Sequence, residues 1–466
     1  MTDRTNAPAA STGPAPLTRQ IAHFAASIEA RDLSDAARRV VRLGFTDCTA
    51  VMLAGLDEPV TKLVRRLARQ EQGMPESRLC LGVERASAPQ AALVTAVAAH
   101  ALDWDDYAYS NHPSAVLVPV ILALADAIGA TGGRMACAYV AGYEVWGALM
   151  RREPGHLHSK GWHPTAVLGP IAAAVAASVL MRLDENACRN AVALAASFAG
   201  GVMANFGTMA KPLHAGRAAQ SGIIAARYAA AGMEAGPEAI ESPLGLMQAL
   251  SPAGAVDVTT PLDALGREWL IEKLALNIKK YPTVGASQRN IDALLTLRAT
   301  RPVDPGAVRE AYPSISVRQA AEMPFHAPAT ALEAKFSLEF AVAAAIIRGK
   351  VGLAELNDAF VQSSEVQALM RKVRVTTTDE LDPDYPGAAP ADFVRLVMND
   401  GSEIMTGKVK RASGHADVPL SGEQLWSKFS DCADGAAVPA PLARRLFDAM
   451  QRIDSLRGAE DIPTLA

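Results

Sequence analysis

Three short motifs combine a basic side chain with a proline that opens an apolar run. They are His112-Pro113, His163-Pro164 and Lys211-Pro212, the last followed by Leu213-His214. Proline suits the first helical position, so each motif predicts a helix that starts beside a basic group. A helix N-terminus favours a bound anion and a neutral histidine, because its backbone N–H groups and dipole are positive. The motifs predict a carboxylate site with histidine bases, and plain capping of a helix end is the simpler alternative.

A second group of candidate residues is acidic. The segment HALDWDDY, residues 100–107, carries Asp103, Asp105 and Asp106 shortly before His112. Carboxylates this close repel one another and must be solvated, paired or functional. Asp103 is predicted to orient or protonate a histidine, or to act as an acid–base group itself. A solvated acidic loop is the alternative.

A third candidate lies at Lys279-Lys280, inside the segment NIKKYP (277–282). The segment is strand-like, and alternation with Ile278 predicts that one of the two lysines points inward. An inward ammonium group could bind a carboxylate or take a proton. The alternative is an ordinary pair of surface lysines.

Other signals are weaker. His156 and His158 lie close to His163, but no cysteine or carboxylate completes a zinc-type spacing, so we expect no metal. The glycine pairs match neither a dinucleotide fingerprint nor a P-loop, and no nucleophile elbow is present. The five scattered cysteines are typical of small hydrophobic residues in a reducing compartment.

The composition limits the class of protein. Half of the 466 residues are hydrophobic, 5% are aromatic, and the formal net charge is −4. This balance excludes a disordered chain and argues against nucleic-acid binding. The apolar runs Val116–Ile128 and Thr165–Met181 are short or interrupted by Pro170, so we predict buried helices and no membrane partner.

The elements that would position these residues fall into two types. Helical periodicity dominates from Leu17 to about Leu250, and β-rich stretches appear after Leu270. The expected strands are Val308–Val317, Val373–Thr378 and a hairpin at Phe393–Val409, alternating with helical segments Ala331–Arg348 and Leu353–Lys372. The predicted fold is mainly α: an all-helical domain (17–269 and 411–466), a smaller α+β lid domain (270–410), and a disordered tail (1–16) without a signal core. We expect a cytoplasmic protein.

Read together, the motifs resemble the MmgE/PrpD family. The resemblance covers about residues 17 to 456 and is carried, in order, by HALDWDDY, HPSAVLVP, GYEV, GWHPTAVLGP, GTMAKPLHAGRAAQSG, KKYP and EAKFSLEFAVA. The family includes 2-methylcitrate dehydratase, cis-aconitate decarboxylase and iminodisuccinate epimerase. It implies a homodimer, no organic cofactor, no metal and an active site between the two domains.

The resemblance also assigns site residues. It implies a catalytic set of Asp103, His112, His163, Lys211 and Lys279. Substrate binding would fall to Lys211, Lys279, His112, His214 and Tyr281. The shared step is proton removal next to a carboxylate of a small di- or tricarboxylate. We expect one of His163 and His112 to act as base and the other as acid, with Asp103 orienting one of them.

Two departures bear on the reaction. Family members often carry Cys or His just after the KxYP segment, where this chain has TVGASQ (283–288), and some carry Tyr where it has Phe340. These changes argue against a cis-aconitate-type decarboxylase and, less strongly, against methylcitrate itself. From frequency in the family we rank a 2-methylcitrate dehydratase-like hydro-lyase first and an epimerase of an iminodisuccinate-type substrate second. A cis-aconitate-type decarboxylase and a metal-dependent hydrolase on His156, His158 and His163 are the further alternatives.

Overall fold

The protein is mainly α-helical. A computed structural model describes residues 15–71, 73–153, 157–251, 255–385 and 387–465. The N-terminal half is built from long helices that pack on one another, with shorter ones toward its end. They are Leu17–Ser27, Asp35–Ala54, Pro59–Glu71, Ala88–His100, Pro113–Ile128, Gly132–Met150, Pro164–Met181, Glu185–Ala196, Ala210–Ala230, Leu246–Leu250 and Leu270–Leu274.

The small side chains of these helices permit close contact between backbones. Pro164–Met181 is central and packs on Ala210–Ala230, Gly132–Met150 and Pro113–Ile128. A Cβ at Gly222 would lie 2.2 Å from the Cβ of Ala173, so only glycine fits at this crossing. Among the described residues, Pro164–Met181 is long and apolar enough to cross a membrane, and 94% of it is buried inside the protein.

Pro170 does not interrupt this helix, contrary to the sequence-based expectation. A proline inside a helix leaves the carbonyl four residues earlier without its usual donor. Here that carbonyl belongs to Ala166, and it accepts a hydrogen bond from the Gly200 backbone N–H at 3.2 Å. The helix therefore runs through the proline, and its first turn is tied to the Gly200-Gly201 segment.

A second part of the chain combines short helices with a sheet. The four-stranded sheet has the order Thr376–Thr378, Val308–Ser316, Phe393–Met398, Glu403–Met405, with the first pair parallel and the others antiparallel. The hairpin at Asn399–Gly401 is confirmed. The helices are Gln288–Thr300, Val317–Ala320, Ala331–Ala334, Leu338–Arg348, Asp358–Val361 and Ser364–Met370.

The two predicted long helices in this part are each divided. Ser337 accepts a hydrogen bond from Phe340 N–H and starts a new helix at Leu338, and Asn357 does the same for Asp358–Val361. The predicted strand Val373–Thr378 is shorter, since regular pairing begins at Thr376.

Apolar side chains form two separate cores. One contains residues from Ile21 to Ile278 together with Leu425 to Leu465, and the other contains residues from Tyr281 to Ile404. The final helices Gly422–Gly435 and Ala440–Met450 thus return to the first core, where both pack on Asp35–Ala54. The chain passes from one core to the other at Lys279-Lys280.

Candidate active site

The three basic motifs lie at helix starts. His112 and His163 each precede a helix whose first residue is proline, as predicted. Lys211 and Pro212 are the second and third residues of Ala210–Ala230, so this helix begins two residues earlier than the motif indicated. His163 and Lys211 are almost fully buried, and His112 keeps 14% of its side chain exposed.

Asp103 connects two lysines. Its carboxylate accepts a hydrogen bond from Lys211 Nζ and lies 3.2 Å from Lys279 Nζ, which also donates to the Asp103 backbone carbonyl at 2.6 Å. Burial opposes ionisation, but Lys211 and then Lys279 outweigh it and hold the pKa of Asp103 below its usual range. Lys279 is buried and Lys280 is partly exposed, which confirms that one lysine of the pair points inward.

The acidic segment is buried rather than solvated. Asp103 adopts a left-handed backbone conformation with φ 52°, which is uncommon outside glycine and turns the chain sharply after the helix Ala88–His100. The side chain of Asp105 then lies against His100, the last residue of that helix. Its carboxylate lies 2.9 and 3.1 Å from His100 Nδ1 and 2.8 Å from His112 Nδ1.

This arrangement corrects the predicted partner of the histidine. Asp105, not Asp103, contacts His112 Nδ1, and Asp103 Oδ1 is 3.7 Å from His112 Nε2. Burial alone would raise the pKa of Asp105, but His100 and His112 outweigh it and hold that pKa well below the usual range. Burial also lowers the pKa of His100 to about 3, so His100 is neutral near pH 7.

A buried lysine, Lys428, donates hydrogen bonds to the acidic segment and to its neighbours. Lys428, on the helix Gly422–Gly435, donates to Asp47 Oδ1 at 2.6 Å and to the carbonyls of Trp104 and Lys279 at 2.9 Å each. It therefore joins the acidic segment to the Lys279 segment. Nearby, burial raises the pKa of Asp106 well above its usual range, and the charge of Asp47 adds to this effect.

His163 has different surroundings. Its Nδ1 is 3.0 Å from Nδ1 of His214, and its ring packs edge-on against Phe206 at 5.0 Å. Burial, together with the charge of Lys211, holds the pKa of His163 well below the ordinary value, and burial lowers the pKa of His214. His163 is therefore a neutral imidazole near pH 7, as its helix start predicted.

These groups meet at a cavity of about 500 Å³ lined by residues of both cores. Asp103, His112, His163, Lys211 and Lys279 all line it. Phe206 and Phe336 form an apolar part of the wall, each 5.2 Å from Lys211 Nζ. The part of the chain that builds the second core, residues 281–404, contributes, among others, Val284, Gly285, Ala286, Gln319, Glu322 and Tyr385. The site thus combines fixed ammonium groups with histidines in one cavity.

Some predicted residues lie elsewhere. Tyr281 donates its hydroxyl to Asp292 at 2.5 Å and packs in the second core, outside the cavity lining. His214 supports His163 from behind and is not part of the cavity wall. Phe340 is fully buried against Phe360, so a change there does not alter the cavity surface directly. His156 lies outside the described residues.

A group of ligand-type atoms belongs to His100, Asp103, Asp105 and His112, and these atoms lie within 4.8 Å of one another. They are not the predicted histidine cluster, although His158 and His163 do line the cavity. Two ammonium groups already contact Asp103, and Asp105 accepts from His100. This set suits a hydrogen-bonded network better than a cation, because a divalent ion would meet two nearby positive charges.

The roles of several site residues were not predicted from the sequence. His100 and Asp105 stand in the HALDWDDY motif, but their contact depends on the turn at Asp103. Lys335 is buried in the EAKFS segment and donates to the Ala101 carbonyl at 2.8 Å. Glu322 lines the cavity, and burial raises its pKa to about 7. No motif marked Glu322 or Lys428, since neither has a patterned sequence context.

Two family models match most of the chain. The family model of the MmgE/PrpD N-terminal domain matches residues 19–259, and that of the MmgE/PrpD C-terminal domain matches residues 281–450. The chain belongs to the MmgE/PrpD family. Residues 260–280, between the two matches, include Lys279-Lys280, where the chain passes from one apolar core to the other.

Three similar members of the MmgE/PrpD family are named cis-aconitate decarboxylase. A cis-aconitate decarboxylase of Homo sapiens is 30% identical over 358 residues, covering 73% of this chain and 71% of that protein. The mouse protein of the same name is 29% identical over 356 residues, covering 73% and 70%. One from Aspergillus terreus is 24% identical over 467 residues, covering 94% of each. These relatives favour the decarboxylase alternative over the dehydratase that we ranked first.

Proposed function

We propose that this protein is a lyase that decarboxylates cis-aconitate or a closely similar unsaturated tricarboxylate. The observation that carries the proposal is the pair Lys211 and Lys279 on the single carboxylate of Asp103. Two ammonium groups face the Asp103 carboxylate, and the protonated His112 proposed below would face that of Asp105, so one positive charge is left over at the cavity. That charge suits a polyanionic substrate. The relatives named cis-aconitate decarboxylase supply the substrate class.

The reaction needs one proton and no oxidant. The bond between the methylene carbon and its carboxylate breaks, and its electron pair forms a new double bond to the central carbon. The electrons of the old double bond take a proton at the neighbouring CH carbon. The products are CO2 and 2-methylidenebutanedioate, so atoms and charge balance when one proton enters per turnover.

His112 is the proposed proton donor. A protonated ring there faces the Asp105 carboxylate at 2.8 Å, and its Nε2 is directed toward Asp103 and the cavity. Lys211 and Lys279 would hold the carboxylates that remain on the product. His163 would donate or accept a hydrogen bond as a neutral ring.

The wall formed by Phe206 and Phe336 would assist the loss of CO2. An apolar surrounding disfavours a carboxylate relative to neutral CO2, since the charged form loses more on leaving water. We place the departing carboxylate against these rings. Under the same proposal the second core, residues 281–404, covers the substrate as an α+β lid.

A hydro-lyase acting on a 2-methylcitrate-type substrate is the second candidate. The neutral ring of His163 favours it, because a neutral imidazole can remove a proton next to a carboxylate. Elimination and decarboxylation would then differ in which histidine moves the proton.

One experiment separates these reactions. Purified protein is incubated in D2O with cis-aconitate, 2-methylcitrate, citrate or iminodisuccinate, and each mixture is followed by NMR. Decarboxylation yields 2-methylidenebutanedioate with one deuterium on its saturated methylene carbon. Elimination of water from 2-methylcitrate without CO2 release would favour the hydro-lyase. Deuterium exchange into iminodisuccinate without net loss of groups would indicate an epimerase.

A further inference from the structure

We infer that Asp105 is a positioning residue of this site: its carboxylate keeps a hydrogen on Nδ1 of both His100 and His112 and so fixes what each Nε2 can do. The kinetic part of this inference rests on the proposed function. The structural part concerns hydrogen positions and stands without it.

The argument begins with what surrounds each Nδ1. His100 Nδ1 lies 2.9 Å from Asp105 Oδ1 and 3.1 Å from Oδ2. His112 Nδ1 lies 2.8 Å from Asp105 Oδ2 and 3.1 Å from the Asp106 backbone carbonyl. Carbonyl and ionised carboxylate oxygens accept hydrogen bonds and cannot donate them. Each Nδ1 must therefore carry the hydrogen.

The consequence falls on the two Nε2 atoms. In neutral His100, Nε2 holds a lone pair and accepts from Lys211 Nζ at 3.2 Å. In His112, Nε2 is the atom free to exchange a proton at the cavity. The Asp105 carboxylate thus fixes the hydrogen on the proposed proton donor, His112, by direct contact. It also positions the Lys211 ammonium group indirectly, because His100 accepts from Lys211.

Asp105 also supplies charge. It is fully buried, and a buried carboxylate requires partners because desolvation is costly. When His112 holds a proton for transfer, the negative charge 2.8 Å away stabilises the imidazolium, as an aspartate does behind the histidine of a catalytic triad. Asp106 is equally buried, but its carboxyl group faces Asp47 and Ser114 rather than the two histidine rings.

The two neighbouring aspartates therefore form a matched pair of test positions. Asp105→Asn keeps the shape but removes the charge and introduces an amide donor. We expect kcat with cis-aconitate to fall about 10²- to 10⁴-fold. Asp106→Asn makes the same change at a carboxyl group that, among the described residues, pairs with neither histidine, and it keeps the backbone carbonyl that His112 contacts, so kcat should change by less than about threefold. Asp105→Glu, which restores the charge, should recover part of the loss. Equal kcat values in the two Asn variants would overturn the inference.

A further variant, at His100, separates the effect of Asp105 on His112 from its effect on Lys211 through His100. His100→Asn keeps an N–H toward Asp105, but its side chain is too short to place an acceptor where His100 Nε2 meets Lys211. If Asp105 acts through His100 on Lys211, this variant should raise KM about tenfold while kcat stays within about threefold. A loss of kcat as large as in Asp105→Asn, with KM unchanged, would contradict separate effects of Asp105 on His112 and on Lys211.

A direct readout of the hydrogens avoids dependence on activity or on variant folding. Wild-type protein labelled with 15N-histidine should show His100 as a neutral ring with hydrogen on Nδ1, its signals identified by their absence in His100→Asn. A neutral His100 with hydrogen on Nε2 would overturn the inference even in an active enzyme. If the wild type releases no CO2 from cis-aconitate, the proposed function fails, and the 15N result still decides the role of Asp105.

Discussion

His112 and His163 precede nearly identical helix starts, yet their rings meet opposite neighbours. His112 lies in a carboxylate-backed corner, formed with His100 and Asp105, where Nδ1 faces an ionised side chain. His163 lies in a carboxylate-free corner, formed with His214 and Phe206, where Nδ1 faces another neutral ring. Lys211 stands between the corners and donates to His100 and Asp103.

The position before a helix therefore does not by itself determine the chemical role of a histidine in this site. A proton on His112 is stabilised by Asp105, whereas a proton on His163 would be repelled by Lys211 in a buried setting. The group behind each ring makes one histidine suited to carry a proton and the other suited to remain neutral.

The largest expected effect concerns the ammonium groups shared by the corners. Lys279→Met removes one of the two cations at Asp103 and a bond that holds the Asp103 carbonyl. We expect kcat/KM for cis-aconitate to fall about 10²- to 10³-fold, because a preorganised cationic donor is lost. Lys280→Met, at the partly exposed neighbour, is the control and should retain activity within about threefold. Similar losses of kcat/KM in both variants would show that activity depends on the integrity of the Lys279-Lys280 segment rather than on the inward ammonium group.

The second prediction tests the support beneath the carboxylate-backed corner. Lys428→Met leaves Asp47 without its 2.6 Å partner and two carbonyls without their donor. Breaking a buried pair by removing one partner costs about 3–5 kcal/mol. We expect that loss in the free energy of unfolding by urea denaturation. The double variant Lys428→Met with Asp47→Asn should recover part of it, and no recovery would mean that the carbonyl contacts dominate.

The third and smallest prediction concerns pH and the carboxylate-free corner. The pKa of His163 is held well below its unfolded value, so the unfolded chain binds more protons as pH falls below about 6.5. The wild type should therefore lose about 2 kcal/mol of stability between pH 7 and pH 5 relative to His163→Gln. Urea unfolding of both proteins at the two pH values measures this. A constant difference would mean that His163 takes up a proton in the folded state.

Much of this molecule is predictable from its sequence. The helix starts at His112 and His163, the inward Lys279 and the hairpin at residues 399–401 follow from local rules on proline, alternation and turn residues. Such rules act within a few residues, and the structure agrees with them there.

The partnerships between side chains did not follow from the sequence. Asp105 rather than Asp103 contacts His112 because the chain turns through a left-handed residue at Asp103. Pro170 stays within its helix because Gly200, thirty residues away, donates to the freed carbonyl. Lys428 reaches the site from the C-terminal helices. Each depends on contacts between distant segments, for which a single sequence carries no periodic signal.

The central claim is the division of roles between the two corners, and the measurement that tests it most directly is kcat for cis-aconitate decarboxylation in His112→Gln and His163→Gln. Glutamine keeps a hydrogen-bonding group but cannot carry the proton. The account predicts a loss of about 10²- to 10⁴-fold for His112→Gln and less than about tenfold for His163→Gln. The reverse order of losses would contradict it and would make His163 the proton carrier.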